Sequence, residues 1–434
     1  MRQGALARVV FRDRTTVSHI EHGRERGDEQ FWTAADHAVK ADGVLLRSFR
    51  ELEAAKHAHE QQLRDAVLVS VQASAVELRA RAGDQPQLAA FRDSKTGPAV
   101  APRFLPEVIS RLSATMLAGR RHRPPGGTVS LVGKDRVDIG VLKDRVWRAW
   151  QFRQQANYTT LGGHLAQLIP DIEASAVVLA GDEQCEVLRL MVHAYNAASS
   201  LLKRLGDIEL ALLAADRAVR TAHSLDDPLL TAAADYRLGN VLLEAGRFDD
   251  TGDVVLHAAD TIAPGKTAVP LGLASWGGLL LTAAVAYARQ GDACHAWELL
   301  GEARMASRLL GSEYADIHTI FGPTNVGIYS VQIAAELGNG HDAVRRGKQM
   351  DVEHLPPGLR ERRSQFFIDL AQGYVLLGSD DVATETLLRA ENTAPEEVRF
   401  NTTAHRLVHT MLGRERLGAT PDLRDLARRM SIER

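Results

Sequence analysis

The stretch LLLTAAVAYARQGDACHAWELLGEA, residues 279–303, is two apolar-rich helical runs joined at one glycine, Gly291. The same plan occurs in YNAASSLLKRLGDIELALLAADRA (195–218) about Gly206 and in DYRLGNVLLEAGRFDDTGDVVLHAA (235–259) about Gly246. It occurs again in VGIYSVQIAAELGNGHDAV (326–344) about Gly338 and in FFIDLAQGYVLLGSDDVATETLLRA (366–390) about Gly378. Successive turn glycines stand 40, 45, 47 and 40 residues apart. Ala211, Ala296, Ala343 and Ala383 each follow their glycine by five residues, where a small side chain lets two helices approach, and Thr251 takes that place in the second segment. Such a helix pair cannot bury its apolar face alone. Neighbours must stack, which buries a continuous core and leaves a concave surface.

Composition agrees with an all-α chain. Aromatic residues make up only 5%, whereas Ala and Leu abound among the 45% that are hydrophobic, and these favour helix over sheet. The 434 residues are enough for about three domains. Cys185 and Cys294 share no close spacing, so neither a disulfide framework nor a zinc site is expected. No apolar run approaches membrane-spanning length and the N-terminus lacks a signal peptide's apolar core, so the expectation is a soluble, cytoplasmic protein without membrane contact.

The N-terminus carries a different signal. In Asp-Arg-Thr-Thr-Val-Ser-His-Ile-Glu-His-Gly-Arg (13–24), Asp13 is placed to cap a helix and Gly23 to end it. Val17 and Ile20 fall on one face, and Arg14, Thr15, Ser18 and His19 on the other. Such side chains suit base edges in a major groove. Before it, QGALARVV (3–10) sets Leu6 and Val10 four apart, with Ala7 small enough for close helix contact. Residues 1–26 hold Arg2, Arg8, Arg12, Arg14, Arg24 and Arg26 against Asp13, Glu21 and Glu25, a net of +3; since the whole chain is formally −3, the remainder carries −6. A basic end on an acidic body suits phosphate contact at that end.

The pattern of Gln3, Leu6, Ala7, Asp13, Val17, Ser18, Ile20, Glu21 and Gly23 resembles the helix-turn-helix of XRE/Cro-type regulators. Phe11 stands where that family has a small turn residue, and the helix that precedes Gln3 in the family has no counterpart after Met1. The expectation is a domain lacking its first helix, or a true start upstream of Met1. The glycine-centred pairs resemble tetratricopeptide (TPR) repeats, with spacings beyond the usual ~34 residues. LLKRLGD (201–207), ADRAV (215–219), DDPLL (226–230), FGPTNV (321–326), AELG (335–338), RRSQF (362–366), PEEVR (395–399) and DLRDLARRM (422–430) resemble the TPR-like region of high-GC bacterial XRE-type regulators.

The architecture implied is an N-terminal helix-turn-helix domain (1–50), a helical linker region (51–136) and a TPR-like α-solenoid (137–434). FWTAADHAVKADGVLLRSF (31–49) would supply the helices that complete the first domain. The function expected is a sequence-specific, double-stranded-DNA-binding transcriptional regulator. Its solenoid would sense a signalling peptide or a small molecule and hold a homodimer together. Base contact would fall to Arg14, Thr15, Thr16, Ser18 and His19, with Gln3, Arg12 and Arg24 on phosphates. The alternative is a TPR-like interaction scaffold with a vestigial helix-turn-helix.

Ligand contact is expected from a row of side-chain amides on the first helices: Asn196, Asn240, Asn325, Gln332, Gln365 and Gln372. Amides donate and accept, which suits a peptide backbone lying in a groove. The same residue types are also ordinary on a wet concave face. Trp276, Tyr287, Trp297, Tyr314, Phe321 and Tyr329 gather around the third and fourth repeats, with core packing favoured over a pocket wall. Nothing points to catalysis, a cofactor or a metal. PGKT (264–267) has Asp260 where a phosphate-binding loop needs glycine, and HEQQL (59–63) lacks the second histidine of a zinc-protease helix.

Overall fold

The computed structural model describes Ala7, Val17, Ile20 and residues 28–51, 105–118, 132–133, 136–264, 269–317, 319–415 and 421–432. The chain divides into two compact units, Met1–Arg81 and Ala82–Arg434. Both are helical. The strands among the described residues are two short antiparallel ribbons, β1 (Val132–Gly133) with β2 (Arg136–Val137), and β3 (Tyr314–Ala315) with β4 (Ile320–Phe321).

In the first unit, α1 (Glu29–Val39) starts at Asp28, whose carboxylate accepts from the Phe31 N–H at 2.7 Å. It ends with Lys40 in the left-handed region. Asp36, buried on this helix, accepts from the backbone N–H groups of Gly43, Leu45 and Leu46, tying α1 to the helical residues 44–51. Phe31 and Ala35 of α1 form one small core with Ala7, Val17 and Ile20, all three helical and buried. Ala7, Val17 and Ile20, three of the apolar positions on which the N-terminal motif was read, are therefore a packed interior.

The second unit is built from helical hairpins: α5 (Gly181–Arg204) with α6 (Ile208–His223), α7 (Pro228–Glu244) with α8 (Phe248–Thr261), and α9 (Pro270–Gln290) with α10 (Ala293–Leu310). Then follow α11 (Pro323–Glu336) with α12 (Gly340–Lys348), and α13 (Arg360–Leu376) with α14 (Asp380–Thr393). Each hairpin turns on the glycine singled out in the sequence. Gly206, Gly246, Gly291, Gly338 and Gly378 all take φ between 70° and 84°, the left-handed geometry that L side chains resist. Five residues later Ala211, Ala296, Ala343 and Ala383 are fully buried. Thr251 is fully buried too, and its hydroxyl donates to the Arg247 carbonyl at 2.8 Å, so the polar atom is satisfied inside its own helix.

Each first helix packs on the next: α5 on α7, α7 on α9, α9 on α11 and α11 on α13. Each second helix fills the gap behind, against its own partner and against the following first helix. Ahead of this row stand α2 (Pro106–Ala118), α3 (Ile139–Gln154) and α4 (Tyr158–Val178); behind it stand α15 (Pro395–Arg399), α16 (Thr402–Arg414) and α17 (Pro421–Arg429). Ile109, Leu112 and Met116 put α2 into the repeat core, although it lies in the stretch read as linker. The long 47-residue spacing is explained by the β3–β4 ribbon inserted before α11. Phe321 of that ribbon is fully buried over Gly277 of α9, where a Cβ would stand 2.1 Å from the ring.

One helix departs from the sequence reading. By length and composition, the 21 residues of α9 are apolar enough to span a membrane, yet 78% of that apolar window is buried inside the stack. Between two helical neighbours, a central helix needs apolar residues on all sides.

The row also closes on itself, because α13 packs against α3. Asn157 makes no side-chain cap at the start of α4; Glu396 of α15 caps it from across the ring. Its carboxylate accepts from the Tyr158 and Thr159 N–H groups at 2.5 and 3.0 Å and from the Thr159 hydroxyl at 2.9 Å. The neighbouring Glu397, fully buried, accepts from the Tyr158 hydroxyl and pairs with Arg204 of α5 at 2.8 Å. Thr402 of α16 donates to Glu244 of α7 at 2.8 Å.

Candidate functional site: a charged chamber inside the helical ring

Closure leaves a chamber, partly open to solvent, walled by the first helices of the hairpins. Positions three, four and seven apart on these helices share one face, and there the Ala- and Leu-rich pattern gives way to charge. Helix α5 contributes Lys203 and Arg204, α7 contributes Tyr236, Arg237, Asn240 and Glu244, and α9 contributes Thr282 and Arg289. Helix α11 contributes Asn325, Tyr329, Gln332 and Glu336; α13 contributes Glu361, Arg362, Gln365 and Asp369; α3 adds Arg153. The space open to water is about 140 Å³. At ~10–15 Å³ per water centre, that is room for on the order of ten waters.

The two ends differ electrically. Around Glu361 gather Arg153, Lys203, Arg204 and Arg362, with Arg237 also within its field. Burial works against the charge on Glu361, but these cations outweigh it and hold the carboxyl below its usual range. Beyond Glu397, which pairs with Arg204, the cations outnumber the carboxylates. Burial, and then the like charge of Arg204, push Lys203 down to about 8. Burial and then Arg153 push Arg237 down to about 10. Each shift comes first from burial and only then from a neighbouring positive charge.

The other end is more acidic. Arg289 binds Glu336 at 3.2 Å and the Leu243 carbonyl at 3.0 Å. Burial opposes the charge on Glu244, yet Arg289 and Lys203 hold its carboxyl below the usual range. Asp369, also buried, accepts at one oxygen from Gln365 at 2.8 Å while the other has no hydrogen-bond partner. Burial pushes its carboxyl up to about 7 despite Arg362.

Arg362 sits between the ends. It is 8% exposed, its guanidinium lies 4.4 Å from the Tyr329 ring centre, and its Nε donates to the Asn325 side-chain Oδ1 at 2.5 Å. Its Nη2 is buried without any hydrogen-bond partner. An unpaired donor on a buried charge costs more than an ordinary lost hydrogen bond, so proteins rarely keep one without a use for it.

Of the amides read from the sequence, the fold brings Asn240, Asn325, Gln332 and Gln365 to the chamber wall. Asn196 lines a smaller adjoining space of about 20 Å³, together with Arg153 and Arg237, and its Oδ1 has no partner. Gln372 is buried and donates to the Ala335 carbonyl at 3.4 Å. Asn325 spends both ends on the protein, since its Nδ2 donates to the Ile320 carbonyl at 2.7 Å. Among the clustered aromatics, Tyr329 faces the chamber, whereas Phe321 is core and Trp297 carries Arg346 over its ring at 4.4 Å.

Sequence reasoning missed the charged residues. Their signal was present: charges recur on one face of otherwise apolar first helices, as in LLKRLGD and RRSQF. The positions read as DNA contacts, Gln3, Arg12, Arg14, Thr15, Thr16, Ser18, His19 and Arg24, lie outside the described residues. Among the described residues, no group of three His, Cys, Asp or Glu side chains is arranged to hold a metal ion.

No protein-family model matches the chain, and no curated protein matches it. Among solved structures it is similar to BtubC (BKLC) from P. vanneervenii, at 18% identity and a TM-score of 0.35, over 53% of this chain and 90% of that one. At that level two chains need share neither site nor activity.

Proposed function

We propose that this chain is a sequence-specific DNA-binding transcriptional regulator of the XRE/Cro type, acting in the cytoplasm as a homodimer. Its hairpins form a TPR-like solenoid, and the chamber in that solenoid receives the effector. The observation that carries the sensing half is the buried Arg362 Nη2, unpartnered in a chamber with room for on the order of ten waters. A scaffold has no reason to keep such a donor, whereas a receptor holds it for a group that arrives with the ligand. A chamber of this size takes a compact small molecule in preference to an extended peptide. Support for the DNA-binding half is the buried apolar set Ala7, Val17, Ile20, Phe31 and Ala35, because the same periodicity assigns Arg14, Thr15, Ser18 and His19 to the opposite face.

The test is selection of bound duplexes from a random pool by the purified chain. The expected result is a two-fold site with half-sites about 34–36 Å apart, bound more weakly as salt rises. No sequence preference at any salt concentration would overturn the regulator reading.

A further inference from the structure

Resting on the reading of the chamber as an effector site, we propose that its ligand is a small hydroxylated anion with a doubly charged head, a phosphate or paired carboxylates. Lys203, Arg237 and Arg362 would take the head. Glu336 and Asp369 would accept from the ligand's hydroxyl groups.

Three observations lead there. First, cations from four helices meet at one end of the chamber, with Glu361 central to them and Glu397 already committed to Arg204. An arriving dianion removes the repulsion that this arrangement carries when empty. Second, Arg362 offers a buried, unpartnered Nη2 beside an Nε already fixed by Asn325, so its planar fork is oriented before any ligand arrives. Third, the opposite end presents carboxylates, among them the buried, partnerless Oδ2 of Asp369. A second anionic group would be repelled there, whereas hydroxyls would be accepted. Tyr236 and Tyr329 line the wall between, with the Arg237 and Arg362 guanidinium groups over their rings.

The proposal is tested by calorimetric titration of the full chain with inorganic phosphate, glucose 6-phosphate and citrate at constant ionic strength and pH 8. Saturable binding of at least one is expected. If phosphate and glucose 6-phosphate bind, the head is a phosphate; if citrate alone binds, it is a polycarboxylate. Lys203→Gln and Arg362→Gln should each weaken binding by about tenfold or more, the loss of one charge-assisted contact. Asp369→Asn should tighten inorganic phosphate, since a carboxylate leaves the chamber, and weaken glucose 6-phosphate, whose hydroxyls lose a charged acceptor. Opposite signs in one chamber do not arise from general destabilisation, and Lys203→Gln, at a half-buried position, serves if Arg362→Gln does not fold. Binding should also take up protons at pH 8, read as a heat that varies with the buffer. An added anion raises the affinity of Lys203 for its proton, among Arg204 on its own helix, Arg237 and Glu244 on α7 and Glu361 on α13. No saturable binding of any probe at about 10 mM, a free energy near 3 kcal/mol, overturns the proposal. So does binding that Lys203→Gln and Arg362→Gln both leave unchanged. Anion binding by a chain that selects no duplex upholds the ligand class and removes only the regulator reading.

Discussion

Asp369→Asn isolates the cost of a buried carboxylate in the chamber. Asp369 is 3% exposed, held at one oxygen by Gln365 and flanked by Arg362 on its own helix, Glu336 on α11 and Arg289 on α9. Burial raises its folded-state value from 3.8 to about 7. Between those values the unfolded chain has lost the proton and the folded chain keeps it. Stability therefore falls as pH rises through that window and is flat above it. From pH 5 to pH 7 the ceiling is about two units at 1.36 kcal/mol each, which relaxation and water in the chamber reduce to ~1–2 kcal/mol. Asparagine keeps the shape and removes the titration. Urea unfolding at pH 5, 6, 7 and 8 should show the variant gaining that amount on the natural chain, with the gain levelling off between pH 7 and pH 8. A difference that stays constant across the series would mean that Asp369 is ionised throughout, and the account of a desolvated chamber would fail.

Other outcomes follow from packing and charge. Neighbouring glycines in α4 should respond with opposite sign: Gly163→Ala has open space and should gain up to ~1 kcal/mol of helix propensity, whereas Gly162→Ala would set a Cβ 2.2 Å from Val108 and lose ~1–3 kcal/mol, both read by thermal unfolding. Arg204→Met strands the buried Glu397 and should cost ~3–5 kcal/mol; adding Glu397→Gln should recover most of it, and a double-mutant cycle showing no coupling would refute the closure argument. Arg14→Ala should cost ~1–3 kcal/mol of DNA binding and relax preference at one base position, whereas equal loss on every sequence would make Arg14 a phosphate contact only.

Much of the hairpin plan is legible in the sequence. The turn glycines and the small residues five positions later obey local rules, since a left-handed turn and a close helix approach each restrict the residue at a single site. The amides read as ligand contacts were chosen on the same local grounds, and four of them reach the chamber wall. The β3–β4 ribbon gave no comparable signal. A two-residue strand is too short for its alternation to stand out.

Amino-acid order alone therefore determined that the chain is helical, where its hairpins turn and which small residues lie between paired helices. Tertiary structure alone decided that the row closes, because Glu396, Glu397 and Thr402 reach partners 158 to 239 residues away. It also decided which charges share one chamber. Periodicity reports which face of a helix a residue occupies, but attraction and repulsion depend on distance, and distances between remote helices exist only once the ring has closed.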